Sequence, residues 1–350
     1  MLKLVLGTSG SGKTTLLYAR IRARAEAGKR SILLVPEQFT SSTEARIYRE
    51  LGDALSGMVE SYSFTSLAEH ILAIEGGAAV QTLTDAGRAV LVRRALEELQ
   101  DNVHYYYRHR RSAAFCQMAA ETIDELKSAG LSGQQLQELA RDCGTESAKL
   151  GELALIFQGY ESLLAGTGMD PADRLELAAD RLEAALARDE LPDFLREREV
   201  FIDEFDTFNA PKKRLMGAML AALPAVTVAL CEDGAPMQPG DLELFSGAKQ
   251  RQLARKNGAQ VAAPELLRRD LRHKDAPGLA ALTELLETGS CTPPESAPEL
   301  RLFAAASREE EARCAAAAIR RLMRQGVRCG KIAVVCRDIA KYRAAVRYEF

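Results

Sequence analysis

A glycine-rich segment near the start of the chain has the residue types and spacing of a phosphate-binding loop. Residues 7–14, GTSGSGKT, fit the pattern G-x-x-x-x-G-K-[ST] at every position. In such a loop the backbone N–H groups and the lysine contact phosphates, and the last hydroxyl ligates Mg²⁺. The segment therefore predicts an ATP or ADP site with Thr14 as a Mg²⁺ ligand. The predicted nucleotide-binding residues are Gly7, Thr8, Ser9, Gly10, Ser11, Gly12, Lys13, Thr14 and Thr15.

An acidic pair far along the chain could supply a second Mg²⁺ ligand and a residue that activates water. Asp203 and Glu204 follow the apolar residues 200–202, as expected at the carboxyl end of a buried strand. Asp203 is predicted to hold Mg²⁺, and Glu204 to orient or deprotonate an attacking water as the candidate catalytic residue. The alternative is two solvated carboxylates that simply follow a buried strand.

The elements around these residues predict an α/β fold with a parallel sheet. Residues 2–6, 31–35 and 58–62 are apolar strand candidates, and helices are expected over 13–27 and 67–74. Strand signals return only at residues 200–203 and 225–230, after a stretch with helical periodicity. Small nucleotide kinases seldom contain a helical insertion of about 100 residues, whereas superfamily 1 helicases do.

The later part of the chain predicts a second α/β unit. Residues 292–298, TPPESAP, have the composition of a linker. Strands are expected at 300–304 and 331–335, with helices over 308–325 and after 338. We expect domains at 1–83 with 190–270, a helical insertion at 84–189, a linker at 271–298, and the incomplete start of a second helicase-like domain at 299–350. This organisation favours the N-terminal part of a longer protein.

Composition narrows the class of protein. The 350 residues include 46 Lys and Arg against 49 Asp and Glu, which excludes a uniformly basic nucleic-acid binder but allows a local basic groove. No apolar run approaches the roughly 20 residues needed to span a bilayer. Seven cysteines without a C-x-x-C pair favour reduced thiols in a cytoplasm.

Several segments resemble one family, AddB, which pairs with AddA in the bacterial AddAB helicase–nucleases. The similar segments run in order through essentially the whole chain: 33–40 (LLVPEQFT), 63–72 (SFTSLAEHIL), 84–96 (TDAGRAVLVRRAL), 125–131 (ELKSAGL) and 331–338 (KIAVVCRD) with Tyr342. The resemblance implies a RecA-like, superfamily 1 helicase fold with the helical insertion. It also implies a partner, AddA, with which AddB processes double-strand DNA breaks for recombinational repair.

In that family the helicase-like half of AddB generally guides one DNA strand and recognises a hotspot sequence, and the motor is AddA. A C-terminal nuclease domain carries an iron–sulfur cluster, which we expect only outside these 350 residues. The resemblance to the DNA-contacting segments singles out four residues as candidate DNA contacts: Phe39, Thr40, Thr65 and Ser66. Their hydroxyls suit phosphates and the aromatic ring suits a base. The alternative is strand-end capping, with Phe39 in the core.

A further segment, 104–111 (HYYYRHRR), mixes aromatic rings with positive charge, which suits single-stranded nucleic acid. A loop between helices with packed tyrosines explains it equally well.

Some positions depart from the helicase pattern. Asp206 stands where such helicases usually have glutamine, and Pro236 stands where a phosphate-sensing glutamine is expected, although Asp233 keeps an acid. The sequence therefore favours nucleotide binding with little hydrolysis. Two interpretations remain: a DNA-guiding, non-motor subunit of a helicase–nuclease, or an autonomous P-loop ATPase or kinase with a small substrate.

Overall fold

The structure is a computed structural model that describes residues 1–77, 81–232 and 246–350. Two compact units divide the chain, Met1–Arg272 and His273–Phe350. The first unit contains the sheet and the sites described below.

Six strands in the described residues form one sheet, in the order β3-β2-β4-β5-β1-β6. All neighbouring strands are parallel. The strands are β1 (Leu2–Gly7), β2 (Ser31–Leu34), β3 (Val59–Tyr62), β4 (Glu199–Ile202), β5 (Ala225–Cys231) and β6 (Glu265–Leu267). The predicted parallel α/β sheet is confirmed, whereas β6 was not predicted from the sequence.

Helices precede or follow the strands in the first unit. They are α1 (Lys13–Glu26), α2 (Thr40–Leu51), α3 (Asp53–Ser56), α4 (Phe64–Glu75), α5 (Asp85–Glu98), α6 (Ala113–Ala129), α7 (Gly133–Ala140), α8 (Ser147–Leu164), α9 (Pro171–Ala187), α10 (Ala210–Ala222) and α11 (Ser246–Lys256). The second unit contains α12 (Pro277–Thr288), α13 (Arg308–Arg324) and α14 (Ile339–Glu349).

Alternating side chains give the sheet two buried faces. In β1, Leu2, Leu4 and Leu6 join one hydrophobic core with residues of α4, α9 and α10. Val5 points the other way and packs with Leu17 and other residues of α1 and α2. Successive side chains of a strand point to opposite faces of the sheet. Because consecutive residues of these strands are apolar, helices must cover both faces. The sheet is therefore held between two layers of helices. The loops that follow its parallel strands converge at the carboxyl edge of the sheet.

The helices predicted between β3 and β4 form two groups that pack against different hydrophobic cores. Helices α5 to α8 share a core of their own, which includes Val92, Ile123 and Phe157. Helix α9 instead buries Ala178 and Leu182 in the core that covers the sheet. Helix α9 therefore belongs by its contacts to the layer against the sheet.

A buried polar network joins α6 and α8 to the start of α9. Asp170, 1% exposed, precedes α9 and accepts the Tyr160 hydroxyl at 2.6 Å. Lys127 donates to Asp170 at 2.8 Å and to Asp173 at 2.9 Å. Buried charges are stable only when they are paired and hydrogen-bonded, so this network constrains how the four-helix core sits against α9.

The second unit differs from the expectation. Residues 300–304 and 331–335 were predicted as strands, and neither forms one. Leu302 is 99% exposed and Val335 is 89% exposed. A strand requires a hydrogen-bonded neighbour, and neither segment pairs with another strand in the described part of the chain. Apolar composition alone was therefore a misleading signal here.

In the described residues, no helix combines the length and apolarity needed to cross a membrane.

Candidate functional site

The glycine-rich loop connects the buried strand β1 to helix α1, as the motif requires. Strand β1 ends at Gly7, and α1 begins at Lys13 directly after Gly12. Gly10 and Gly12 have φ angles of 85° and 92°, in the left-handed region that side chains with a Cβ rarely adopt. The loop conformation therefore depends on glycine at these two positions, and it brings the N-terminus of a 14-residue helix to the loop.

The loop residues meet the requirements of a polyphosphate ligand. Lys13 Nζ donates to the carbonyl oxygens of Gly7 and Thr8 at 2.8 and 2.7 Å, so its charge lies over the loop. The Ser11 hydroxyl is buried and has no hydrogen-bond partner in the described residues. A Cβ at Gly7 would collide with that hydroxyl oxygen, which explains the glycine there. An unpartnered hydroxyl, a lysine charge and a helix N-terminus together fit an anionic group.

The acidic pair lies at the end of β4, separated from β1 in the sheet by β5. Asp203 is 4% exposed, and its backbone N–H donates to Leu34 O at 3.0 Å. Burial raises the pKa of the Asp203 carboxyl, while hydrogen bonds from the Thr14 side chain and the Glu204 N–H oppose that rise. The Thr14–Asp203 contact joins two predicted Mg²⁺ ligands that are 189 residues apart in the sequence.

Glu204 is exposed and has a φ of 65°, which is unusual for a residue with a side chain. Its N–H donates to Asp203 Oδ1 at 3.0 Å. Partial desolvation of the carboxyl and the neighbouring Asp203 charge both raise the pKa of Glu204. Strained backbone of this kind is concentrated at functional sites, where it aims a side chain.

A cavity of about 390 Å³ brings the loop and the acidic pair together. Of the predicted residues, those that line it are Ser9, Gly10, Gly12, Lys13, Thr14, Thr15, Asp203 and Glu204. Gly7, Thr8 and Ser11 belong to the loop but do not line the cavity. The volume is within the range of small-molecule sites, roughly 300–1,000 Å³. The cavity also contains residues that the sequence did not single out: Arg46, Leu271 and Arg272.

The segment after β6 covers part of the loop. Leu271 N–H donates to Gly10 O at 3.0 Å, and Arg272 Nη1 donates to Ser9 Oγ at 3.2 Å. A Cβ on Gly12 would lie 3.0 Å from Leu271 Cδ1. Because these contacts join residues about 260 positions apart, no local pattern in the sequence could have indicated them.

A second cavity of about 380 Å³ lies at the carboxyl ends of β2 and β3. Thr65 lines it, together with Gln38, Asn209 and Lys212, which the sequence did not single out. Gln38 could have been found by asking which polar residues follow each strand, whereas Lys212 lies inside α10.

The other candidate DNA contacts do not line this cavity. Phe39 packs partly against the core on the α1 side of the sheet, and the Thr40 hydroxyl donates to Glu37 O at 2.9 Å. Ser66 forms a capping box with Ser63 at the start of α4, with N–H to hydroxyl distances of 2.8 and 3.1 Å. Their role in DNA binding stays a prediction.

The aromatic and basic segment at 104–111 forms a packed loop. Glu152 accepts the N–H groups of His104, Tyr105 and Tyr106 at 2.8–3.1 Å. The ring of Tyr106 stacks on Phe115 with centroids 5.5 Å apart. Tyr106 and Tyr107 pack against the helical core, which agrees with the structural alternative, while Tyr105 is exposed; nucleic-acid binding there stays a prediction.

Two motif positions lie outside the described residues, Asp233 and Pro236. Over the described ranges, no group of three or more His, Cys, Asp or Glu side chains could hold a metal ion. A Mg²⁺ ion in a phosphate loop has a different environment, with a Ser/Thr hydroxyl, one carboxylate and phosphate oxygens. Thr14 and Asp203 fit that set.

This chain is similar in sequence to one family of known proteins. The family described as ADDB, N-terminal, matches residues 4–283. The B subunit of the ATP-dependent helicase/deoxyribonuclease of Desulforudis audaxviator is 34% identical, over 100% of this chain and 31% of the relative. Proteins of the same name from Moorella thermoacetica and Symbiobacterium thermophilum are 33% and 32% identical, over 100% and 97% of this chain and 32% and 31% of their own lengths.

This chain therefore spans about a third of the length of these curated relatives. The resemblance inferred from the separate sequence segments is confirmed by a match over four fifths of the residues. The chain belongs to the AddB N-terminal family.

Proposed function

We propose that this chain is the nucleotide-binding, DNA-guiding part of the AddB component of an AddAB-type helicase–nuclease, and that it is not the motor. Its relatives are named as B subunits of ATP-dependent helicase/deoxyribonucleases. The comparisons give no support to the alternative, an autonomous P-loop ATPase or kinase. Its first unit is assigned to the RecA-like, superfamily 1 helicase fold, in keeping with its parallel sheet and glycine-rich loop.

The observation that carries the proposal is the shared cavity of Lys13, Thr14 and Asp203. The loop would hold ATP or ADP through its N–H groups and Lys13. Thr14 and Asp203 would hold Mg²⁺, which neutralises charge on the β- and γ-phosphates when bound. Because the pKa of Asp203 is raised by burial, a neighbouring cation would favour its ionised form.

Weak hydrolysis is part of the proposal. Glu204 is the only catalytic residue that we assign, as the group that orients or deprotonates water. Its exposed side chain and left-handed backbone allow it to face the cavity mouth, while Asp206 replaces the usual glutamine. The site is therefore suited to binding and releasing nucleotide, with chemistry close to background in this chain alone.

The second cavity supports the DNA-guiding role. Lys212 and Asn209 line this cavity with Thr65, and the carboxylates of Glu37 and Asp124 line it too. A positive side chain with amides and hydroxyls is the combination that binds a phosphate backbone. Thr65 lines this cavity, whereas Phe39, Thr40 and Ser66 do not; all four stay proposed DNA contacts.

The whole protein is proposed to act with an AddA-like helicase–nuclease on single- and double-stranded DNA ends during recombinational repair in the cytoplasm. An iron–sulfur cluster would belong to a part outside these residues. The domain assignment 1–83 with 190–270, 84–189, 271–298 and 299–350 is likewise proposed.

ATP turnover measurements test the proposal. We expect the chain to turn over ATP near background by itself, with or without single-stranded DNA. Appreciable turnover should require an AddA-type partner together with DNA. Brisk turnover by the chain alone, lost in Lys13→Ala, would contradict the proposal and support an autonomous enzyme.

A further inference from the structure

Arg46 lies in the nucleotide cavity, although no motif points to it. It belongs to α2, the helix after β2, and lines the cavity with Lys13, Asp203 and Glu204. Its neighbours on the helix, Ile47 and Thr43, are buried, so the face that carries Arg46 is turned toward the body of the protein. A half-buried arginine at this point places a permanent positive charge beside the acidic pair.

The Arg46 guanidinium is held by an aromatic ring and has no carboxylate partner among the described residues. Its Cζ atom lies 4.9 Å from the ring centroid of Tyr18, which is 5% exposed and belongs to α1. In the part of the chain that the structure describes, the guanidinium forms no ion pair or hydrogen bond with another side chain. Stacking on a buried ring orients the group and leaves its N–H donors available to a ligand.

The other two cations that line the cavity in the described residues are already engaged. Lys13 donates to the carbonyl oxygens of Gly7 and Thr8, and Arg272 donates to Ser9. Both therefore lie on the loop side. Arg46 belongs to α2 and lines the same cavity together with Asp203 and Glu204.

This arrangement indicates which phosphate of a bound nucleotide would lie near Arg46. The loop would contact the inner phosphates, and Thr14 and Asp203 would hold a Mg²⁺ ion that neutralises phosphate charge. The terminal phosphate of a triphosphate would then extend toward the acidic pair, which lines the cavity together with Arg46. A diphosphate does not extend that far.

We propose that Arg46 binds the terminal phosphate of a nucleoside triphosphate and thereby makes the site prefer a triphosphate to a diphosphate. This inference rests on the proposed nucleotide-binding function. Arg46 is a specificity-determining residue, and Tyr18 is a positioning residue that orients it through the face of its ring.

Binding measurements on the 350-residue chain test the inference. The affinities of a non-hydrolysable ATP analogue and of ADP, each with Mg²⁺, are measured by calorimetry for the wild type and three variants. Arg46→Ala removes the guanidinium, and Arg46→Lys keeps the charge but loses the planar fork of donors. Arg49→Ala is the matched control, since Arg49 is on the same helix, exposed, and does not line the cavity.

We expect Arg46→Ala to weaken binding of the ATP analogue about 10- to 100-fold, the range for a hydrogen bond between charged groups. Binding of ADP should change by less than about threefold, the same as in Arg49→Ala. Arg46→Lys should lie between the wild type and Arg46→Ala for the ATP analogue.

Equal losses for ATP analogue and ADP in Arg46→Ala would overturn the inference, as would no loss for either. Wild-type chain that binds neither nucleotide would instead refute the proposed function, and this inference with it. A melting temperature of Arg46→Ala within about 2 °C of the wild type separates a lost contact from a lost fold.

Discussion

Removing the Tyr160 hydroxyl tests the polar contact between the core of helices α5–α8 and the start of α9. Tyr160→Phe deletes one hydroxyl and leaves the ring, so packing in the α5–α8 core is preserved. The lost bond is 2.6 Å long, joins two side chains that are each 1% exposed, and ends on a carboxylate. Hydrogen bonds to charged groups contribute about 1.5–3 kcal/mol. We therefore expect the free energy of unfolding to fall by about that amount.

Urea unfolding of the purified variants measures this loss. The chain contains no tryptophan, so tyrosine fluorescence and far-ultraviolet circular dichroism are the signals. Tyr107→Phe is the matched control because its hydroxyl contacts Gln100 at 3.3 Å on the surface. The control should change stability by less than about 0.5 kcal/mol. Equal stability of the two variants would refute the structural role of the buried network.

Alkaline pH gives a second readout of the same network. Burial and the bond to Asp170 raise the pKa of Tyr160 far above its ordinary value near 10. A raised pKa means that the folded state favours the neutral hydroxyl. The contribution of Tyr160 is therefore complete below about pH 10 and is lost as the pH rises toward its folded pKa. The stability difference between wild type and Tyr160→Phe should be constant from pH 6 to 9 and shrink above pH 10.

Two further predictions concern the candidate nucleic-acid segments. Glu152→Ala should accelerate amide hydrogen exchange at residues 104–106 by at least about tenfold, because it removes the acceptor of three N–H groups. The control Glu146→Ala, on the exposed surface, should not accelerate this exchange. Unchanged exchange would show that the loop is held by its packed rings alone. Lys212→Ala should reduce single-stranded DNA affinity and lower the slope of log K against log salt by about 0.7, the value for one phosphate contact. Lys213→Ala, outside the second cavity, should leave both quantities unchanged; equal effects of the two substitutions would argue against that DNA path.

The parts of the molecule that the sequence predicted correctly depend on local patterns. Strand β1, the start of α1 and the strand β4 are marked by apolar runs, glycine and charge within a few residues of one another. The helices α5 to α9 follow from helical periodicity over about 100 residues. Burial of the sheet on both faces explains why its strands are continuous apolar runs.

Long-range contacts explain the parts that could not be predicted. Strand β6 has three residues, too few for a recognisable pattern, and it forms only by pairing with β1. Arg46 is one of many arginines in amphipathic helices, and its place in the cavity depends on how α2 packs. The strands expected at 300–304 and 331–335 were wrong because apolar composition does not supply a pairing partner.

Nucleotide titration of the wild type and of Lys13→Ala shows whether the glycine-rich loop is the nucleotide site. Calorimetry with ATP or ADP, in the presence of Mg²⁺ and then of EDTA, reports whether the loop, Thr14 and Asp203 form one site. We expect the wild type to bind one nucleotide per chain, with binding weakened by EDTA and abolished in Lys13→Ala. Lys13→Ala chain that retains wild-type affinity would show that the glycine-rich loop is not the nucleotide site.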